Sequence, residues 1–285
     1  MQLPFKVNLA GKTAVVTGGS GTLCRRMALA LAECGAGVAV LSRRIEAVEA
    51  VAAEIRAAGG RALAVACDVL DRAALADAAA RIEQELGPVD ILINGAGGNH
   101  PRGTTAREYL FPEDLTKPQE GKLTFFDLDP EGLQYVFNLN LVGTVLPTQA
   151  FSRGMAQRGR GVVINISSMS AFTPLTKISA YSSAKAAVNN FTQWLAVHLS
   201  KVGVRVNAIA PGFFLTDQNR NLLTTPEGGL TPRANTIIAH TPMGRFGKAD
   251  ELLGTLLWLV SDEASGFVTG IVVPVDGGFS AFSGV

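Results

Sequence analysis

Residues 12–24 read KTAVVTGGSGTLC, and this stretch decides the fold. Lys12 to Thr17 is a short β-branched run that stops at glycines, as a buried strand does before a tight turn. Gly19, Gly21 and Cys24 then fit G-x-G-x-x-G with the last glycine replaced. Glycines at those places let the backbone turn sharply and approach a diphosphate at the N-terminus of the next helix. An ordinary glycine turn has the same look. The strand-to-helix context favours a dinucleotide cradle made by Gly18, Gly19, Ser20, Gly21, Thr22 and Leu23. Cys24 is small, so close packing of helix on strand is expected to survive there.

Working outward, strands and helices alternate. Strands are predicted over 12–17, 38–41, 62–66, 89–93, 161–166, 205–210 and 271–275. Helices are predicted over 28–34, 45–58, 72–86, 133–158, 180–202 and 249–261. The strands are near-continuously apolar, as strands buried on both faces are. The pattern implies an α/β fold, a doubly wound Rossmann-type parallel sheet with helices on both faces. Residues 99–130 and 213–247 break the rhythm with prolines, glycines and mixed charges, and read as long functional loops. No composition shift or repeat marks a boundary, so one domain over 1–285 is expected.

The 285 residues carry Lys+Arg 25 and Asp+Glu 24, a net charge of +1. That balance argues against a nucleic-acid binder or an anionic-membrane binder. An apolar fraction of 47% supports a large core rather than disorder. No stretch reaches the roughly 18 apolar residues of a membrane span. Pro4 and Lys6 interrupt any signal-peptide core in residues 1–10. Cys24, Cys34 and Cys67 lie among apolar neighbours and read as reduced thiols of a cytoplasmic protein. No metal is expected, because His100, His198 and His240 show no ligand spacing. His198, Trp194 and Trp258 read as helix packing.

Three further features carry chemistry. No acid follows the second strand; Ser42, Arg43 and Arg44 stand there instead. Two guanidiniums suit a 2′-phosphate, so NADP(H) is favoured, with NAD(H) as the alternative carrier. Tyr181 and Lys185 lie one helical turn apart and share a face. Ser168 follows the strand at 161–166. A glycine loop, a strand-end serine, and a tyrosine and lysine on the next helix form a specific set.

With those residues in hand, the chain resembles the short-chain dehydrogenase/reductase family over nearly its whole length. Asn94-Gly95-Ala96-Gly97 matches the family's N-N-A-G with one change. Asn140-Leu141-Val142-Gly143 matches N-x-x-G, Pro211-Gly212 through Thr216 matches P-G-x-x-x-T, and Cys67-Asp68-Val69 carries the adenine-contacting aspartate. The family's usual first loop would place glycine at Thr22 and Cys24, a departure that bears on diphosphate geometry. The resemblance implies that Tyr181 is the acid in reduction and the base in oxidation. Its ordinary pKa near 10 would be lowered by the Lys185 ammonium and the oxidised nicotinamide. It implies that Ser168 orients the substrate oxygen and that Asn140 holds a water in a relay from Lys185. Pro211, Gly212, Phe214 and Thr216 would meet the nicotinamide end, together with Tyr181 and Lys185. Asn94, Ala96 and Gly97 would line the adenosine ribose and support the sheet, and Asp68 and Val69 would meet adenine.

Several longer stretches, among them NGAGGNHP (94–101) and TFFDLDPEGLQYVFNLN (124–140), resemble the bacterial branch of this family that interconverts D-mannonate and D-fructuronate. A sugar acid needs a cation for its carboxylate and polar groups for its hydroxyls. Arg102 or Lys177 is assigned the carboxylate, and Asn99 and His100 the hydroxyls. Arg107, Gln218, Asn219, Arg220, His240 and Arg245 are further options. The alternatives are another keto sugar acid, a polyol or a ketoacyl compound, and a dinucleotide sensor without turnover. An intact Ser168, Tyr181 and Lys185 speak against the sensor. On the same resemblance a homotetramer is expected, through helices near 133–158 and 181–202.

Overall fold

The computed structural model describes residues 7–116, 122–216, 219–226 and 228–284. Seven strands form one sheet: β1 (Thr13–Thr17), β2 (Gly37–Ser42), β3 (Arg61–Ala66), β4 (Val89–Asn94), β5 (Gly161–Ile166), β6 (Val204–Pro211) and β7 (Val272–Val275). Their order is β3-β2-β1-β4-β5-β6-β7, and every pairing is parallel. β1 and β4 are buried along their whole length, the signature of a sheet covered on both faces. The chain winds from β1 toward β3, then returns to place β4 on the other side of β1. Crossovers therefore diverge between β1 and β4, and their carboxyl ends border a crevice where ligands bind in such sheets.

Eleven helices surround the sheet among the described residues: α1 (Thr22–Glu33), α2 (Ile45–Ala57), α3 (Arg72–Leu86), α4 (Pro112–Thr116), α5 (Pro130–Phe137), α6 (Gly143–Arg158), α7 (Ser179–His198), α8 (Arg220–Leu223), α9 (Pro232–Ala239), α10 (Leu253–Val260) and α11 (Asp262–Ser265). One apolar layer joins the sheet to α1, α2 and α10 through Met27, Leu31, Val51, Ile55, Leu256 and Leu259. The opposite layer joins it to α3, α6 and α7 through Leu75, Ile82, Phe151, Met155 and Leu195. No helix among the described residues is long and apolar enough to cross a membrane.

Three boundaries differ from expectation, each for a physical reason. The first helix starts at Thr22, not Ala28, because Gly21 has the extended backbone of an N-cap and lets the helix begin at the glycine loop itself. The long helix expected over 133–158 is two helices. The first starts at Pro130, where Asp129 caps the Glu131 N–H. A π-helical turn (Asn138–Val142) then separates α5 from α6. There Asn140 Nδ2 donates to Val136 O at 2.8 Å, the acceptor an α-helix would reserve for the Asn140 backbone N–H. The helix expected to reach residue 202 ends at His198, followed by a 3₁₀ turn and Gly203 at φ +67°. Among the described residues the two long loops carry short turns, two isolated β-bridges and α4, α8 and α9.

Candidate active site

The carboxyl ends of β1 and β4 meet edge to edge. Gly18 has φ +63°, and a Cβ there would lie 2.7 Å from Gly95 O and 2.9 Å from Ala96 N. Only glycine lets the two loops close on each other. Thr17 Oγ1 accepts the Gly95 and Ala96 N–H groups at 3.1 and 3.3 Å, which fixes that contact. Beyond it α1 begins with no side-chain cap at Gly21 and no acid in its first turn. The positive end of its dipole faces this crevice, which suits the diphosphate of a dinucleotide. The replaced third glycine, Cys24, is buried with its Sγ against Gly95; a Cβ on Gly95 would stand 2.2 Å from it. Burial pushes the Cys24 thiol up to about 12, so it is a packing group rather than a nucleophile.

At the adenosine end, Ser20 Oγ donates to Ser42 Oγ at 3.2 Å and ties the glycine loop to β2. Arg43 and Arg44 are exposed, and neither pairs with a carboxylate among the described residues. Asp68 is exposed, and its Oδ1 accepts the Leu70 N–H at 2.9 Å, so the carboxylate closes its own turn. Val69 is buried beside Gly143. Asn94 is buried, and its side chain turns into the sheet. Its Nδ2 donates to Thr148 Oγ1 at 2.8 Å and to Asn165 Oδ1 at 2.9 Å. A side chain so engaged supports the sheet.

The candidate reacting groups gather around Lys185, which stands beside Gly97. Lys185 is 4% exposed. Its Nζ donates to Ile166 O at 2.8 Å and lies 5.7 Å from the centre of the Tyr181 ring. A Cβ on Gly97 would lie 3.2 Å from Lys185 Nζ and 2.8 Å from Asn140 Oδ1, so the bare glycine makes room for both. Ser168 follows β5 and caps a 3₁₀ turn (Met169–Ala171). Burial raises the Tyr181 phenol above its ordinary value, and a hydrogen bond with Ser168 pulls it back. Burial pushes the Lys185 ammonium down to about 8. Asn140 is fully buried. Its Nδ2 donates to Gly98 O at 2.7 Å as well as to Val136 O, and its Oδ1 accepts the Gly98 N–H at 3.2 Å. Its carboxamide thus locks the strand-end loop to the π turn.

The far wall comes from β6 and the C-terminal turn. The Gly212 N–H donates to Val275 O at 2.9 Å, which brings the segment after Pro211 against Asp276. Phe214 is buried with its ring over Gly247, so it builds the wall from beneath. Asn219 takes the Thr216 N–H and returns a bond to Phe214 O, both at 2.8 Å, and shapes this loop rather than offering itself to substrate. Gln218 lies outside the described residues.

The candidate substrate residues separate. Asn99 Nδ2 donates to Thr104 Oγ1 at 2.9 Å. His100 accepts the Arg102 N–H on Nδ1 at 3.2 Å, and its ring lies 4.9 Å from that of Tyr135. Arg102 is already engaged: its guanidinium pairs with Asp129 and with Glu131, the latter at 2.9 Å. A substrate carboxylate would have to displace both. Arg107 and Arg245 are likewise paired, with Asp114 and Glu251, and His240 Nδ1 faces Thr236 O. Lys177 has no ion pair among the described residues. It is the one non-glycine residue there at positive φ, +74°, and its carbonyl accepts the Thr105 N–H at 3.0 Å. That bond fastens the 99–130 insert to the loop leading into Tyr181. Among the described residues no cluster of three or more His, Cys, Asp or Glu could hold a metal.

Sequence reasoning missed Ser170, whose hydroxyl lies 3.0 Å from Ser168 Oγ, and Asn189, which accepts from Ser167. The run Ser167-Ser168-Met169-Ser170 was the available signal.

The sequence profile of the short chain dehydrogenase family matches residues 12–227. The uncharacterized oxidoreductase UxuB of Bacillus subtilis is 55% identical over 283 residues, covering 99% of this chain and 100% of that protein. Gluconate 5-dehydrogenase of Gluconobacter oxydans is 34% identical, over 98% of this chain and 99% of that protein. A crystal structure from Haemophilus influenzae, provisionally named a D-mannonate oxidoreductase and holding NAD, superposes with a TM-score of 0.92 at 51% identity and 100% coverage of both chains. The chain belongs to the short-chain dehydrogenase/reductase family and is an NAD(P)-dependent oxidoreductase acting on alcohol and keto groups.

Proposed function

We propose that this short-chain dehydrogenase/reductase interconverts D-mannonate and D-fructuronate, with NADP(H) as its preferred carrier and NAD(H) accepted. The observation that carries the reading is the grouping of Tyr181 with Lys185 and Ser168, Lys185 standing beside Gly97, with Lys177, free of ion pairs among the described residues, just ahead of Tyr181 in the chain. The resemblance to the Haemophilus protein supports the substrate, and the gluconate relative supports a sugar acid more broadly.

The glycine contact at Gly18 and the uncapped start of α1 suit a dinucleotide diphosphate. Arg43 and Arg44 suit a 2′-phosphate, and no acid at the end of β2 would hold a ribose diol in its place. When bound, the nicotinamide accepts or supplies the hydride. Tyr181 then gives a proton to the substrate oxygen in reduction and takes it in oxidation. Ser168 donates a hydrogen bond to that oxygen as charge develops on it. Lys185, buried and charged below about pH 8, favours the phenolate. Asn140 would hold a relay water through its backbone. Lys177 would meet the carboxylate, with Asn99 and His100 toward the hydroxyls. Trp194 and Val197 on α7, and Phe137 and Val142 before α6, leave apolar surface exposed, which suits a homotetramer.

The test compares D-mannonate oxidation by the wild type and by Tyr181→Phe, with cofactor affinity measured alongside. Lost turnover with retained cofactor binding supports the reading. Unchanged turnover in the variant rejects Tyr181 as the acid.

A further inference from the structure

Ser170 is 2% exposed, and its hydroxyl lies 3.0 Å from Ser168 Oγ, the one hydrogen-bond partner found for it among the described residues. Its backbone N–H points at the same atom, at 3.2 Å. A backbone N–H can only donate, so one lone pair of Ser168 Oγ is taken. A buried hydroxyl with a single acceptor in reach gives its proton to that acceptor, since the alternative leaves a donor unsatisfied. Ser168 Oγ then accepts twice from Ser170, and its own proton must point elsewhere. The remaining partner is the Tyr181 phenol, which is hydrogen-bonded with Ser168, and the reacting oxygen would lie beside it.

We propose that Ser170 is a positioning residue for the reaction: by filling the acceptor sites of Ser168 it aims the Ser168 proton at the Tyr181 oxygen and the substrate oxygen. No proton leaves either serine. What Ser170 controls is the direction in which Ser168 donates, and hence how well that donor meets negative charge on the phenolate or the alkoxide. The proposal rests on the reading of Ser168 and Tyr181 as reacting groups.

The test is a cycle of Ser168→Ala, Ser170→Ala and the double variant, all saturated with NADP. The Tyr181 phenolate is titrated by ultraviolet difference absorbance against Tyr181→Phe, a readout that needs no substrate. The midpoint should rise in Ser170→Ala, and Ser170→Ala should move it no further once Ser168 is alanine. In D-mannonate oxidation, Ser170→Ala should lower kcat about fivefold with KM little changed, the scale of one neutral hydrogen bond. In the Ser168→Ala background it should cost nothing more. Equal losses in both backgrounds, or an unmoved midpoint in Ser170→Ala, would overturn the proposal. If Ser168→Ala itself leaves kcat and midpoint unchanged, the reading of Ser168 falls first and this proposal with it. A crippled Ser168→Ala beside an unaffected Ser170→Ala rejects Ser170 alone.

Discussion

Cys24 Sγ fills the space in which a side chain at position 95 would stand, since a Cβ built on Gly95 would lie 2.2 Å from it. Two of the three departures from the family's motifs, a cysteine for a glycine on α1 and a glycine for an asparagine after β4, are therefore one compensated contact. The volume has moved from the strand end to the helix. The diphosphate loop keeps its closure because Gly18 still meets Gly95 and Ala96.

That exchange is testable. Gly95→Ala alone should overpack the contact and destabilise the protein by about 1–3 kcal/mol. Adding Cys24→Gly should recover most of the loss, leaving the tighter approach to Thr17 O, at 2.9 Å. Thermal unfolding of the four proteins measures it. Additive losses would separate the two positions.

Lys185 is buried with no carboxylate partner among the described residues, and burial lowers its ammonium to about 8 from 10.5. The folded state binds this proton less tightly than the unfolded chain does. The burial cost, roughly 3 kcal/mol, is thus complete below about pH 8 and fades as pH rises toward 10.5. Lys185→Met should accordingly be inactive yet more stable than wild type at neutral pH, with the gap narrowing across that window. Urea unfolding at several pH values checks it; a gap that widens upward contradicts it.

Arg43→Glu should weaken NADP binding about tenfold or more by removing a charge-assisted bond and adding repulsion to the 2′-phosphate. NAD binding should hold or improve. Fluorescence titration of both cofactors decides the point, and an unchanged NADP affinity would remove Arg43 from the site.

Lys177 combines two properties that one substitution separates. Lys177→Gly relieves a left-handed backbone at φ +74° and should raise stability by about 1 kcal/mol. It should also raise KM for a sugar acid several-fold while leaving an uncharged polyol unaffected. A KM that rises equally for both substrates would argue for loop disorder instead of carboxylate recognition.

The fold was legible because its strands are buried on both faces and therefore read as apolar runs. Where a boundary depended on one side chain's hydrogen bond it was not legible. The π turn follows from Asn140 Nδ2 taking Val136 O, which no hydrophobic period reveals. Tyr181 and Lys185 were legible because helical spacing sets their common face. The ion pairs of Arg102 were not legible because one of its partners, Glu131, lies 29 residues along the chain, and only the fold brings the start of α5 against the insert. Asn94 was half legible: its motif marked a strand end, but the inward direction of its carboxamide comes from Thr148 and Asn165. Ser170 escaped because its role lies in the direction of a hydroxyl proton, set by the 3₁₀ turn after β5.

The most direct measurement is the kcat/KM of the purified protein for D-mannonate oxidation, followed by nicotinamide absorbance with NADP and NAD in parallel and with product identified. The account predicts turnover to D-fructuronate with either carrier and a higher kcat/KM with NADP. Tight cofactor binding with no oxidation of D-mannonate, while another sugar acid or a polyol is oxidised, would contradict the substrate assignment and leave the hydride chemistry standing.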